Sequence, residues 1–172
     1  MADIKAAVDF VLKQEDATMV GEVTGYKDDR GGRTRFGIAE RWHPDLTKTG
    51  FYDDMDRDHA LVIAENVLVE QYADPILLAQ IDSQAIATAL LSMAVVEGNR
   101  EAVKLLQMSV GANPDGGMGP QTLAKVNSFP DVMTQYGMFQ RAYFQRLAAN
   151  DPTQLRFVHG WLNRMNAVQA LA

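Results

Sequence analysis

Ile4, Val8, Val11 and Leu12 recur at helical spacing, so residues 3–14 predict an amphipathic helix that stops near Glu15. The pattern then breaks. Residues 16–38 are glycine-rich, charged and β-branched in patches, which predicts a long loop or a small β-hairpin. Periodicity returns behind Asp56, a helix cap, with Leu61, Ala64, Leu68 and Tyr72 along one face of residues 57–72. Asp74-Pro75 breaks that helix, and residues 76–81 form a short apolar segment. Ser83 opens QAIATALLSMAVVEG, apolar nearly all round, which predicts a buried central helix ended by Gly98. Asn99 reads as the cap of a helix over 100–110, closed by Gly111. ANPDGGMG reads as a turn, and Pro120 as the first residue of a helix over 120–127. Pro130 begins another helix that runs to about Leu147, and Asp151-Pro152 starts the last one. The expectation is a mainly α fold with one irregular or β element after the first helix.

Composition narrows the function. The 172 residues suit one globular domain, and 47% hydrophobic residues suffice for a real core. No apolar run reaches the roughly 18 residues of a membrane span. The N-terminal stretch carries Asp3 and Asp9 and no small-residue cleavage site, so no secretory signal is expected. Without cysteine there is no disulfide, thiolate metal site or cysteine nucleophile. His43, His59 and His159 are widely spaced, so neither a metal nor a cofactor is expected. Residues 1–85 hold 9 Lys and Arg against 17 Asp and Glu, a net of −8, while residues 86–172 hold 7 against 5, a net of +2. The acidic half argues against nucleic acid as a partner.

The candidate chemistry lies between Lys13 and Ile38, which hold Glu15, Asp16, Glu22, Asp28 and Asp29. A carboxyl half out of water at the edge of a core can keep its proton and give it to a leaving oxygen. Glu15, closing an amphipathic helix, is placed for that role. Asp28 and Asp29, flanked by Lys27, Arg30 and Arg33, suit an ionised partner. One acid of each kind is the logic of glycoside hydrolysis. The plainer alternative is a set of solvated acids in a glycine-rich loop, and Asp16 and Glu22 read that way.

The order of these residues resembles the lysozyme superfamily, and more closely glycoside hydrolase family 108, phage and bacterial N-acetylmuramidases also described as secretion activators. Asp29-Arg30-Gly31-Gly32-Arg33-Thr34-Arg35-Phe36-Gly37-Ile38 matches that family's Asp-x-Gly-Gly-x-Thr-x-aromatic-Gly-Ile segment throughout. The preceding Glu-Gly-Gly element stands here as Glu15-Asp16-Ala17, with a longer gap to Asp29 and with Glu22 as a rival acid. Further on, Asp115 to Leu123 and the pair Leu106-Gln107 resemble the peptidoglycan-binding part that follows in this family. Arg141-Ala142-Tyr143, and Phe157 to Arg164, resemble its Arg-x-Tyr and Phe-x-x-Gly-Trp-x-x-Arg motifs. In the central helix Ser92 and Val96 replace the family's Asp and Asn. Either those polar contacts to the wall are weakened, or they were only core hydrogen bonds.

The resemblance implies a lysozyme-like helical fold, with residues 1–82 as the catalytic part and 83–172 as a peptidoglycan-binding-like part packed into the same unit. It implies hydrolysis of peptidoglycan between N-acetylmuramic acid and N-acetylglucosamine, with Glu15, Asp29 and Thr34 catalytic. Tyr26, Phe36, Gly37, Gln107 and Trp161 are the expected substrate contacts, although a lone Trp in a terminal helix, as Trp161 is, is more often a core anchor. The expected partner is bacterial peptidoglycan, reached from the cytoplasm through a holin or a secretion system. Rival readings are a lytic transglycosylase, a non-catalytic wall-binding or secretion-accessory protein, and a helical partner-binding regulator.

Overall fold

The computed structural model describes residues 1–25 and 32–171. Helix α1 (Ile4–Glu15) starts where the Asp3 carboxylate accepts the Ala6 N–H at 3.1 Å, and it buries Ala7, Val8, Val11 and Leu12. It ends in two adjacent acids with different tasks. Asp16 accepts hydrogen bonds from the Thr18 N–H and hydroxyl and from the Gly21 N–H at 2.7–3.1 Å, folding the chain back at once. Burial pushes its carboxyl up, but the bonds from Thr18, Gly21 and Met19 outweigh this and hold it below the usual range. Glu15, the last helical residue, is left to face outward.

The expected β element is a minimal antiparallel hairpin. Strands β1 (Thr34–Arg35) and β2 (Ile38–Ala39) pair Thr34 with Ala39 and Arg35 with Ile38. Phe36 and Gly37 make the turn with φ of +49° and +78°, the two left-handed residues of a type I′ hairpin. Phe36 tolerates that backbone because its ring is sunk against Gly21, where a Cβ would stand 2.2 Å from the ring. Two buried arginines fasten the hairpin below. Arg35 donates to the carbonyls of Gly21, Phe51 and Met55 at 2.8–2.9 Å. Arg33 donates to the Tyr52 carbonyl at 2.9 Å and pairs with Glu40 and Asp53.

Asp56 caps α2 (Arg57–Val67) as expected, accepting from Asp58 and His59. The helix then widens into a π-helical stretch, Leu68–Ala73, before a 3-10 turn at Asp74–Ile76. Helix α3 (Gln84–Glu97) is buried from Ala85 through Ala94 and packs against α1, α4 (Asn99–Ser109), α6 (Val132–Asn150) and α7 (Leu155–Gln169). Between α4 and α6 lies α5 (Pro120–Ser128). One apolar core runs from Ala7 to Val168, so the two ends of the chain share it. Two caps differ from expectation. Gly98, at φ +84°, precedes α4 as its cap, because the Asn99 amide reaches across to the Gln71 carbonyl at 2.8 Å instead. Helix α6 starts two residues after Pro130, once Asp131 has turned the chain at φ +61°.

The glycine-rich turn after α4 corrects one expected substrate contact. Gln107 is 1% exposed. Its amide nitrogen lies 2.8 Å from Asp115, 3.0 Å from the Gly117 carbonyl and 3.2 Å from the Thr122 hydroxyl, and its oxygen accepts the Gly116 N–H at 2.8 Å. A side chain so enclosed ties the turn to α5 and has no face to offer a glycan. Gln107→Leu should therefore lower stability by about 1–3 kcal/mol for each buried group left unpaired, read as a shifted denaturant midpoint. The hairpin base predicts a pH effect. Arg33 hydrogen bonding holds the Glu40 carboxyl at about 2, below its ordinary 4.5. A depressed carboxyl stabilises fully above its unfolded value and stops doing so as pH falls toward its folded one. The Tm advantage of the wild type over Glu40→Gln should thus be constant above pH 4.5 and shrink between 4.5 and 2.

Candidate active site

Helix α1 delivers Glu15 to the molecular surface, where its side chain is 24% exposed. Two grooves meet at this residue. One, of about 400 Å³, is lined by Gln14, Glu15, Gly37, Val95, Val96, Gly160, Trp161 and Arg164. The other, of about 200 Å³, is lined by Glu15, Asp16, Thr18, Glu22, Thr24, Thr34, Phe36 and Gly37. Glu15 and Gly37 are common to both, so the carboxylate and the tip of the hairpin form the waist of one furrow.

Two groups fix Glu15. Arg164, 149 residues later on α7, brings Nη1 to 2.5 Å from Glu15 Oε1. Arg164 is itself held by Nε donating to the Ser92 hydroxyl on α3 at 2.8 Å, and its side chain is only 15% exposed. On the opposite side the bare backbone of Gly37 presses on the glutamate. A Cβ there would stand 2.5 Å from Glu15 Cγ and 2.8 Å from its Cβ. Tyr72, on the π-helical stretch, lies within the field of the same carboxylate. Burial first, and the Glu15 charge second, raise its phenol above the ordinary value. The carboxylate is thus gripped by a guanidinium in a furrow with an apolar wall of Val95 and Val96.

The other expected site residues divide. Thr34 lines the smaller groove, where its backbone bridges Thr24 through hydrogen bonds of 2.8 and 2.9 Å. Glu22, the rival acid, lines that groove too. Phe36 is 2% exposed and supports the groove from within, so its ring is not an open sugar platform as expected. Trp161 stacks its ring on Phe144 at 4.7 Å, and the residue lines the larger groove. Tyr26, Asp28 and Asp29 lie outside the described residues. Ser92 keeps a polar contact inside the core as the acceptor for Arg164, and Val96 makes the neighbouring wall apolar. Sequence reading missed Arg164 and Tyr72. Arg164 stood in a recognised motif, but nothing in its spacing points across the chain to Glu15. Of the described carboxyls moved off their ordinary values, Glu97 is the one held above its own, because burial outweighs the 2.7 Å hydrogen bond from Tyr143.

Two family models match the chain. Glycosyl hydrolase 108 covers residues 8–98, and Predicted Peptidoglycan domain covers residues 101–166. Glu15, the hairpin, Val95 and Val96 fall in the first stretch, whereas Gly160, Trp161 and Arg164 fall in the second. The furrow is therefore built from both. Among solved structures, that of SagA from Brucella abortus is similar, with a TM-score of 0.75 and 23% identity over 98% of this chain and 92% of that one, which is a likeness of fold. No curated protein matches.

Gly37 offers a direct check on how Glu15 is held. In Gly37→Ala the new methyl meets the glutamate stem and the backbone sits at φ +78°. A crystal structure of the variant should show Glu15 displaced from Arg164, with a Tm only a few degrees below the wild type. An unmoved Glu15 would contradict this packing.

Proposed function

This chain belongs to the glycosyl hydrolase 108 family, and we propose that it cleaves the glycan strand of peptidoglycan between N-acetylmuramic acid and N-acetylglucosamine, with Glu15 as the general acid. The observation that carries this reading is the furrow itself. A single glutamate is clamped at its waist between Arg164 and Gly37, with groove on both sides for a polymer to pass. A linear glycan lying along the furrow brings a glycosidic oxygen to the Glu15 carboxyl. Glu15 gives up its proton as the bond to the leaving sugar breaks. The carboxylate left behind lies against Arg164, whose guanidinium stabilises the charge that proton transfer creates.

Asp29 enters this reading through its place in the ten-residue segment that ends at Ile38. It is proposed as the ionised partner that supports positive charge on the sugar or holds the attacking water, with Thr34, in the smaller groove, helping to position it. Tyr26 is proposed as a wall contact on the same grounds. The match to the Predicted Peptidoglycan domain supports peptidoglycan as the polymer, and action at the cell wall follows from that substrate.

The same match favours one second reading, a wall-binding protein that does not cleave. Turbidity and product assays on purified sacculi separate the two. Glu15→Gln should lower the rate by about 10²–10⁴-fold, the usual contribution of a general acid, while still sedimenting with sacculi. Glu97→Gln, at a carboxyl that lines neither groove, should keep wild-type activity. Mass spectrometry should show reducing N-acetylmuramic acid ends. Anhydro ends would instead mark a lytic transglycosylase, and sedimentation without cleavage by the wild type would support the binding reading.

A further inference from the structure

Two glycines lie inside described helices, and they differ in what surrounds them. Gly137 in α6 has a packing reason: a Cβ there would stand 1.9 Å from the Gln169 amide nitrogen on α7. Gly160, in the middle of α7, has none. A Cβ built on it meets nothing within 4 Å, and its backbone is not in the left-handed region. Glycine weakens a helix interior relative to alanine, so at Gly160 the fold loses stability without gaining a contact in return. Gly98 and Gly111 also face open space, but their positive φ accounts for them.

The position of the vacancy is informative. Gly160 lines the larger groove together with Glu15, Gly37 and Arg164. It precedes Arg164 by four residues, so both lie on one face of α7, one turn apart. Its neighbour Trp161 has one ring face covered by Phe144, at 4.7 Å and 18° between planes. The open surface beside Glu15 is therefore the bare backbone of α7, with the tryptophan as a side wall.

We propose that Gly160 is a substrate-contact position, where an N-acetylated sugar ring of the glycan rests on α7 backbone while its glycosidic oxygen lies at Glu15. The missing side chain is space reserved for the ring. A methyl group at 160 occupies that space and meets no atom within 4 Å in the free protein. The proposal rests on the glycan-cleaving reading above, and its test keeps the two apart.

Gly160→Ala and Gly160→Leu are made in the wild type and in Glu15→Gln. Tm is measured for all, kcat/KM on sacculi for the active forms, and binding of soluble disaccharide-peptide chains for the Glu15→Gln forms. The expected result is a Tm equal to or above the parent for both substitutions. Activity and binding should fall in order of side-chain size, with Gly160→Leu losing tenfold or more in each. Should Gly160→Leu unfold, the graded loss in a stable Gly160→Ala carries the test. Wild-type kcat/KM and binding in a folded Gly160→Leu would overturn the proposal. So would a fall in Tm that parallels the loss in both variants, since that marks a packing role. If the wild type binds the chains but does not cleave, the hydrolase reading fails, while the binding arm still decides on Gly160.

Discussion

The ion pair between Glu15 and Arg164 joins the end of the first helix to the last, and the geometry of the furrow depends on it. A partly exposed pair of this kind adds little to stability, of the order of 0–1 kcal/mol. Its effect is positional. The guanidinium is planar and held at two of its nitrogens, by the Ser92 hydroxyl and by Glu15, so it fixes a direction as well as a distance. That direction is defined only while α7 stays docked on α3, the buried helix that carries Ser92. The acid at the end of α1 thus reports on packing at the far end of the chain.

The hairpin supplies the opposing jaw, and its construction explains why so small a sheet can be placed firmly. Two residues per strand cannot hold a register alone. The register is set by the Phe36-Gly37 turn and held from below by Arg33 and Arg35, which bind the carbonyls of Gly21, Phe51, Tyr52 and Met55. Glycine enters twice as a matter of contact. Gly21 admits the Phe36 ring, and Gly37 admits the stem of Glu15. Each removes a Cβ where two parts of the site must touch, so the distance from hairpin to glutamate is set by van der Waals contact.

Local features were legible from the pattern of residues. The helical periods, the Asp56 cap, the buried central helix that Ser83 opens and the small hairpin all follow from near neighbours. What escaped the sequence was long-range or two-sided. Arg164 stands in a motif whose spacing says nothing of Glu15. Gln107 is an expected substrate contact by the resemblance of Leu106-Gln107, yet the turn folds over it and takes up its whole amide. Phe36 looked like a cleft aromatic, and only the positive φ of its turn sends the ring inward. Asn99 fits a helix cap by sequence, but the π-helical stretch places the Gln71 carbonyl within its reach. In each case tertiary contact overrode a sound local preference.

The division of the site between the two matched stretches bears on what the C-terminal half does. Were it an appended wall anchor, the residues facing Glu15 would come from the first stretch alone. Instead Gly160, Trp161 and Arg164 all belong to the second, and the serine that holds Arg164 belongs to the first. Cutting the chain at Gly98 would expose α3, whose surface is apolar on nearly every side, and would strip Glu15 of its partner. The second stretch therefore completes the furrow that the first begins, and on the proposed reading recognition of the wall and chemistry on it share a single surface.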